Sequence, residues 1–180
     1  MQVREKSGQT LTEPVTVAEM EEYLGYDLDT GQETLIGDMI TAARKWLEDY
    51  LGLSILSKSY EVRFYNEDAL NGYYELPFSP ITSITSVQIS GTDVNYDEKG
   101  LDVKFIRPQQ SVITNTSSDE AYLDSEFIAG AESPMGNDAV KRIVTDMWDN
   151  RKDNLPDSPA VGLSWRTMKY IETINNNSGI

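Results

Sequence analysis

The stretch from Glu33 to Gly52, ETLIGDMITAARKWLEDYLG, decides the architecture. At about 100° of turn per residue, Leu35, Ile36, Met39, Ile40, Ala43, Trp46, Leu47, Tyr50 and Leu51 fall within an arc of roughly 160°. Gly37, Asp38, Thr41, Arg44, Lys45, Glu48 and Asp49 fill the opposite arc. Thr30 and Glu33 have the spacing of a capping box, in which each side chain satisfies an amide left over at a helix N-terminus. Gly52 can take the left-handed conformation that closes a helix. So wide a stripe predicts a core helix with several packing partners, each buried large side chain contributing about 1.5–3 kcal/mol. Trp46 lies within the arc. As a core residue, its truncation to alanine is expected to cost about 3–5 kcal/mol.

Upstream, Thr16 and Glu19 repeat the capping-box spacing. A short helix is predicted from Val17, with Val17, Met20, Tyr23 and Leu24 on one face and Gly25 at its end. Residues 1–14 read as a loose arm ending at Pro14. Downstream, the period changes from helical to alternating. Tyr60, Val62 and Phe64 alternate with Glu61, Arg63 and Tyr65, predicting a strand over 58–65. Asn71-Gly72 marks a tight hairpin turn, followed by a short strand, Tyr73 to Leu76, stopped by Pro77. Ile84 to Ile89 reads as a strand turned at Gly91. Val94–Tyr96 and Leu101–Ile106 read as a hairpin closed by Asp97 to Gly100. Residues 108–120 read as a polar exposed loop. Tyr122 and Phe127–Ile128 are the last strand pieces, ended by Gly130.

Helical spacing returns after Asn137, a favoured N-cap residue. Ala139, Val140, Ile143, Val144, Met147 and Trp148 share one stripe. A break is expected at 154–159, then an amphipathic segment from Leu163 to Ile174, then a polar end over 175–180. Helix, helix, a block of strands, helix, helix is the order of an α+β fold. The expected architecture is a bundle of about four helices with an antiparallel β region inserted between the second and third. The expected segments are an arm over 1–14, the first two helices over 15–57, the β region over 58–130, and the last helices and tail over 131–180.

The 180 residues suffice for one ordinary domain with a real core, or for two small lobes. The chain has no cysteine and no histidine, which removes thiolate nucleophiles, the commonest general base and the commonest zinc ligands. Carboxylate chemistry alone stays open. Asp93, Asn95 and Asp97 match the start of a calcium loop, but Glu98 stands where glycine is needed and Lys104 where a bidentate glutamate is needed. A hairpin turn is the better reading. Asp146 and Asp149, one helical turn apart, read as a solvated helix end. No catalytic, metal or cofactor site is expected, and the chain is not read as an enzyme. The net charge of −15 opposes general nucleic-acid binding. No apolar run reaches the length of a membrane span. The polar N-terminus lacks the apolar centre of a signal peptide, so nothing directs the chain to secretion.

Several segments, in order, resemble the head–tail connector, or adaptor, proteins of tailed bacteriophages. They are Pro14-Val15-Thr16-Val17-Ala18-Glu19-Met20 with Tyr23-Leu24, Leu35-Ile36, and Ala42-Ala43-Arg44-Lys45-Trp46-Leu47-Glu48-Asp49-Tyr50-Leu51-Gly52. Tyr74-Glu75-Leu76-Pro77, Pro80 to Val87, Phe127-Ile128-Ala129-Gly130, and Val144 to Trp148 with Asp149-Asn150-Arg151 complete the set. The resemblance covers most of residues 14–152. It implies a helical bundle with an inserted β region and a homo-oligomeric, dodecameric ring under the portal protein. Such a ring extends the DNA channel and presents a platform to stopper or tail proteins. Genomic DNA would pass through without specific binding, there being no membrane partner. The chain would reside in the virion neck, and in the host cytoplasm before assembly. Pro156 to Ile180 is longer than the family's usual C-terminus, and 108–120 matches poorly.

The other readings are a stopper or tail-completion neck protein and a small carbohydrate- or surface-binding module using the tyrosines and acidic loops. The amphipathic C-terminal segment, through Trp165, Met168, Tyr170 and Ile171, is the expected partner-docking element, with the portal as partner; a fourth bundle helix within the subunit competes with that reading. The acid excess predicts a mainly acidic or neutral channel wall that keeps DNA off by repulsion.

Overall fold

Thr16 caps the first helix, α1 (Val17–Leu24). Its Oγ1 accepts from the Glu19 amide at 3.2 Å, and the Glu19 carboxylate accepts from the Thr16 amide at 2.8 Å. The Gly25 amide closes the helix on the Glu21 carbonyl. A computed structural model describes residues 1–65, 68–101, 103–109, 122–131, 133–150 and 163–177. The expectations for most of the 108–120 loop, for the 154–159 break and for the last three residues fall outside these. The described residues are α+β, with four helices and antiparallel sheets, all strands but the first lying in sequence between the second and third helices. No described helix is long and apolar enough to cross a membrane.

The second helix, α2 (Thr30–Leu51), begins on a different box from the one read in the sequence. Asp29, not Thr30, is the cap. Its Oδ1 accepts from the Gln32 amide at 2.9 Å, the Gln32 side chain returns the bond to the Asp29 amide at 3.0 Å, and the Asp29 carbonyl accepts from Glu33. Both spacings exist one residue apart, and a carboxylate among free helix amides is the stronger cap. The third helix, α3 (Pro134–Asp149), likewise starts before Asn137. Ser133 caps it, its Oγ accepting from the Gly136 amide at 3.3 Å. Pro134 fills the first turn, where its missing N–H costs nothing. The fourth helix is α4 (Trp165–Asn177).

The chain divides into two compact units. One comprises Met1–Leu11 and Gly52–Ala131. Its strands are β1 (Gln2–Glu5), β2 (Lys58–Phe64), β3 (Tyr74–Glu75), β4 (Ile81–Ile89), β5 (Thr92–Asp93), β6 (Tyr96–Lys99), β7 (Phe105–Pro108) and β8 (Leu123–Ala129). A five-stranded sheet runs β1-β2-β8-β4-β5 and a three-stranded sheet runs β3-β7-β6, all pairs antiparallel. Tyr60, Val62 and Phe64 of β2 meet Leu123, Phe127 and Ala129 of β8 in the core, with Ile81, Val87, Tyr74, Leu76 and Ile106.

Two expectations change in this unit. The arm over 1–14 supplies an edge strand, with Gln2 opposite Arg63 and Glu5 opposite Tyr60. Its short polar sequence carries little strand signal of its own and orders by pairing with β2. The hairpin expected to turn over Asp97–Gly100 turns later. Asp97 to Lys99 belong to β6, with Lys99 opposite Phe105, so the turn begins only at Gly100. Asn71-Gly72 does form a two-residue turn, at φ 54° and 80°. Leu70 and Tyr73 exchange both backbone bonds across it, at 2.8 and 3.0 Å. The strand that follows pairs with β7 instead of turning back on β2.

The other unit comprises Thr12–Leu51 and Glu132–Ile180. α2 packs on α3, α3 on α4, and α1 on both α2 and α3. The core contains Met20, Ile36, Ile40, Ala43, Leu47, Ala139, Val140, Ile143, Val144, Trp148 and Ile171.

Candidate functional site

Within the helical unit, α2 does not bury the face that its periodicity marks. Arg44 and Glu48, both on the polar arc, are only 2% and 8% exposed. Leu35 and Tyr50, both on the apolar arc, are 41% and 46% exposed, and Trp46 is half-buried. The buried face is turned by roughly 50° from the centre of the apolar arc at 100° per residue. Trp46 is therefore not the core residue that its position predicts.

An ionic network accounts for the turn. Arg44 gives Nε to Glu13 Oε2 at 2.8 Å, Nη2 to Glu13 Oε1 at 3.0 Å, and Nη1 to Glu48 Oε2 at 2.7 Å. Thr41 Oγ1 also donates to Glu13, at 3.0 Å. Burial disfavours the guanidinium charge, but the bonds it donates to Glu13 and the charge of Glu48 outweigh this and hold the Arg44 pKa above its ordinary value. The forked Arg–carboxylate geometry makes burial of the ion tolerable. It also ties the chain ahead of α1 to α2.

The turn leaves an apolar edge outside. Leu35, Ala42, Trp46 and Tyr50 follow one another along α2, with Asp38 and Asp49 on the border. The Trp46 and Tyr50 rings stack, with centroids 5.2 Å apart and planes 16° apart.

A second feature lies across α1, α3 and α4. A groove of about 590 Å³ opens between Tyr23, Arg142, Asp146, Trp165 and Arg166. Arg142 Nε donates to Asp138 Oδ2 at 2.8 Å, and its guanidinium lies 4.5 Å from the Tyr170 ring centre. The bond to Asp138 raises the Arg142 pKa, while burial, then the same carboxylate, raises that of the Tyr170 phenol. Asp146 Oδ2 accepts from the Ser164 amide at 2.7 Å and so anchors the start of α4.

The four residues expected to dock a partner are distributed unequally. Trp165, the first residue of α4, is 77% exposed, Met168 and Tyr170 are half-buried, and Ile171 is fully buried. Ile171 is thus part of the packing of α4 within the helical unit. Tyr23, read from the sequence only as part of the face of α1, and Arg142 and Arg166 were not read as site residues, because no periodicity links residues on three different helices. The outer edge of α2 had a signal: its apolar arc is wider than a single packing face needs.

Elsewhere, Asp93 accepts from Gln88 Nε2 at 2.8 Å and Asp97 from Gln109 Nε2 at 3.1 Å, each on its own strand. The exposed face of the five-stranded sheet is laced by cross-strand ion pairs, Arg4 with Glu61, Arg63 with Asp124, and Lys6 with Glu126. The two bonds from Arg63 to Asp124, at 2.8 and 2.9 Å, raise the Arg63 pKa.

No model of a known protein family matches this chain, and a search of characterised proteins by sequence finds no match. Solved structures do match by fold. A chain from the virion of a native gene transfer agent (GTA) particle superposes with a TM-score of 0.70 at 17% identity, over 96% of this chain and 94% of that one. A chain from the neck of an empty GTA particle, computed with C6 symmetry, gives 0.68 at 15% identity over the same shares. A chain from the neck of a native GTA particle, computed with C12 symmetry, gives 0.64 at 16% identity, again over 96% and 94%. The chain thus has the fold of proteins found in such particles.

Proposed function

We propose that this chain is a structural, non-enzymatic subunit of the neck of a phage-like particle. It would be an adaptor that assembles as a dodecameric ring beneath the portal, lengthens the DNA channel and joins head to tail. The observation that carries this reading is the likeness of fold over 96% of the chain to chains whose particles include necks computed with C6 and C12 symmetry. The ordered motifs from Pro14 to Arg151 that resemble connector proteins point the same way. The portal on one side and stopper or tail proteins on the other would be its partners, in the virion neck after assembly in the host cytoplasm.

The acid excess fits a channel wall that DNA does not adhere to. Neutralising phosphates takes clustered Lys and Arg, and the chain holds 15 of these against 30 Asp and Glu. Electron microscopy of the purified protein, alone and with the portal of its own particle, tests the reading. Rings that seat on the portal are the expected result. A protein that neither forms rings nor binds the portal overturns it. Micromolar affinity for double-stranded DNA that collapses as salt rises would overturn the non-adhesive channel.

A further inference from the structure

The apolar edge of α2 and the groove across α1, α3 and α4 differ in chemistry in a complementary way. The edge is aromatic, with Trp46 and Tyr50 stacked and with acids, Asp38 and Asp49, on its border. The groove is also aromatic at its rim, through Tyr23 and Trp165, which are 44% and 77% exposed, but it presents the guanidinium groups of Arg166 and of Arg142, the latter bonded to Asp138. Its carboxylate, Asp146, is engaged by the Ser164 amide.

We propose that these are the two halves of one head-to-tail contact, and that a second copy of this chain occupies the groove with the outer edge of its α2. The proposal rests on the ring reading above and names the surfaces that make the ring. Charge selects the cross pairing. The edge of α2 against its own copy sets Asp38 and Asp49 against like charges, with Lys45 on the same border offsetting only part of the excess. Groove against groove sets arginines against arginines. Edge in groove brings acids to arginines and lets a guanidinium lie on an indole or phenol ring. Tryptophan, tyrosine and arginine are also the side chains that dominate protein contacts. Two different faces make a heterologous contact, which closes into a ring when the rotation per subunit divides the circle. The contact also explains why α2 buries Arg44 and Glu48: turning those charges inward frees its aromatic side for a neighbour. Trp165, expected to dock a partner, then meets a sister subunit.

The chain has no cysteine, so a cross-linking test has no background. Ala42→Cys places a thiol on the edge of α2 and Thr145→Cys places one on the groove wall. The double variant, treated with a short bismaleimide, is expected to give a ladder of multimers beyond the dimer. Each single variant is expected to stay uncoupled, and a mixture of the two to stop at dimers. Adding Trp165→Glu to the double variant should reduce the ladder at least tenfold, with circular dichroism unchanged because the residue is exposed. Sedimentation of the unsubstituted protein reports the ring separately. Rings without a ladder overturn this pairing of surfaces and leave the adaptor reading intact. Neither rings nor a ladder removes both. Coupling of Ala42→Cys to itself, or a ladder untouched by Trp165→Glu, also overturns the pairing.

Discussion

Strands β2 and β8 sort their side chains by polarity, and α2 does not. Along Lys58–Phe64 and along Leu123–Ala129, every second residue is buried, and each strand admits one polar type inside, Lys58 or Ser125. Along α2, an arginine and a glutamate lie inside while a leucine and a tyrosine lie outside. The physical difference is in the number of available faces. A strand has two, and a slip of one residue exchanges all its side chains at once, so burial is set by an all-or-none choice. A helix is a cylinder that can turn continuously. An apolar arc of roughly 160° leaves room to turn without losing all its packing, and the Glu13–Arg44–Glu48 network decides how far α2 turns.

The contrast can be broken most forcefully at Arg44. Arg44→Ala leaves two carboxylates without their shared cation and is expected to destabilise the helical unit by about 3–5 kcal/mol. Denaturant titration measures this. A loss under about 1 kcal/mol would mean that the network does not hold the helix in its orientation. Replacing Arg44 and Glu48 together with Met and Leu should cost much less than Arg44→Ala, because no charge is then stranded inside.

The β unit offers the next effect, at Gly130. Its φ is +102°, and a β-carbon built there would lie 1.9 Å from the Leu56 carbonyl oxygen. The residue ends β8 with its amide on the Pro80 carbonyl at 2.8 Å. Gly130→Ala combines backbone strain with a collision, each of order 1–3 kcal/mol, so a total loss of about 2–6 kcal/mol is expected. A variant as stable as the parent in thermal melts would show that β8 can end another way.

Trp46→Ala sharpens the comparison from the exposed side of α2. The expected cost is about 1–2 kcal/mol, mostly the stacked pair with Tyr50 and part of the indole's burial. A cost of about 3–5 kcal/mol in the isolated subunit would return Trp46 to the core.

The smallest effect is a pH dependence at the start of α1. The Thr16 amide, then its hydroxyl, hold the Glu19 pKa below its ordinary value. A lowered folded-state pKa means that this contribution is complete above the unfolded value of about 4.3 and fades as pH falls through the lower folded one. In Glu19→Gln, that part of the acid loss should disappear, as read by the difference between the two proteins' stability–pH curves below about pH 4.3. Parallel curves would show that Glu19 does not titrate against the cap.

Signals that act over one helical turn or one strand pair were legible. The Thr16–Glu19 box, Gly25, the alternation around Tyr60 and the Asn71-Gly72 turn each act between neighbours in sequence, and each stands in the structure. Ambiguity entered where two local solutions compete, as with Asp29 beside Thr30 and Ser133 ahead of Asn137. The edge strand β1 was invisible because its order comes from Arg63 to Tyr60 across the ladder, not from its own residues. For the candidate site, Trp165 was legible as an apolar residue at the head of an amphipathic segment. Tyr23, Arg142 and Arg166, which share the groove with it, were not.

By itself, the sequence determined the α+β order, the positions of its helices and most strands to within a turn, and the exclusion of thiol and imidazole chemistry. Those properties follow from composition and from interactions between residues close in the chain. Only the tertiary structure decided which side of α2 faces inward. Glu13 reaches Arg44 across 31 residues of sequence, and the energy of a buried ion pair depends on that arrangement of three side chains in space, which no periodicity encodes. The same turn of the helix left Tyr50 exposed and Trp46 half-buried, on the side that the proposed subunit contact uses.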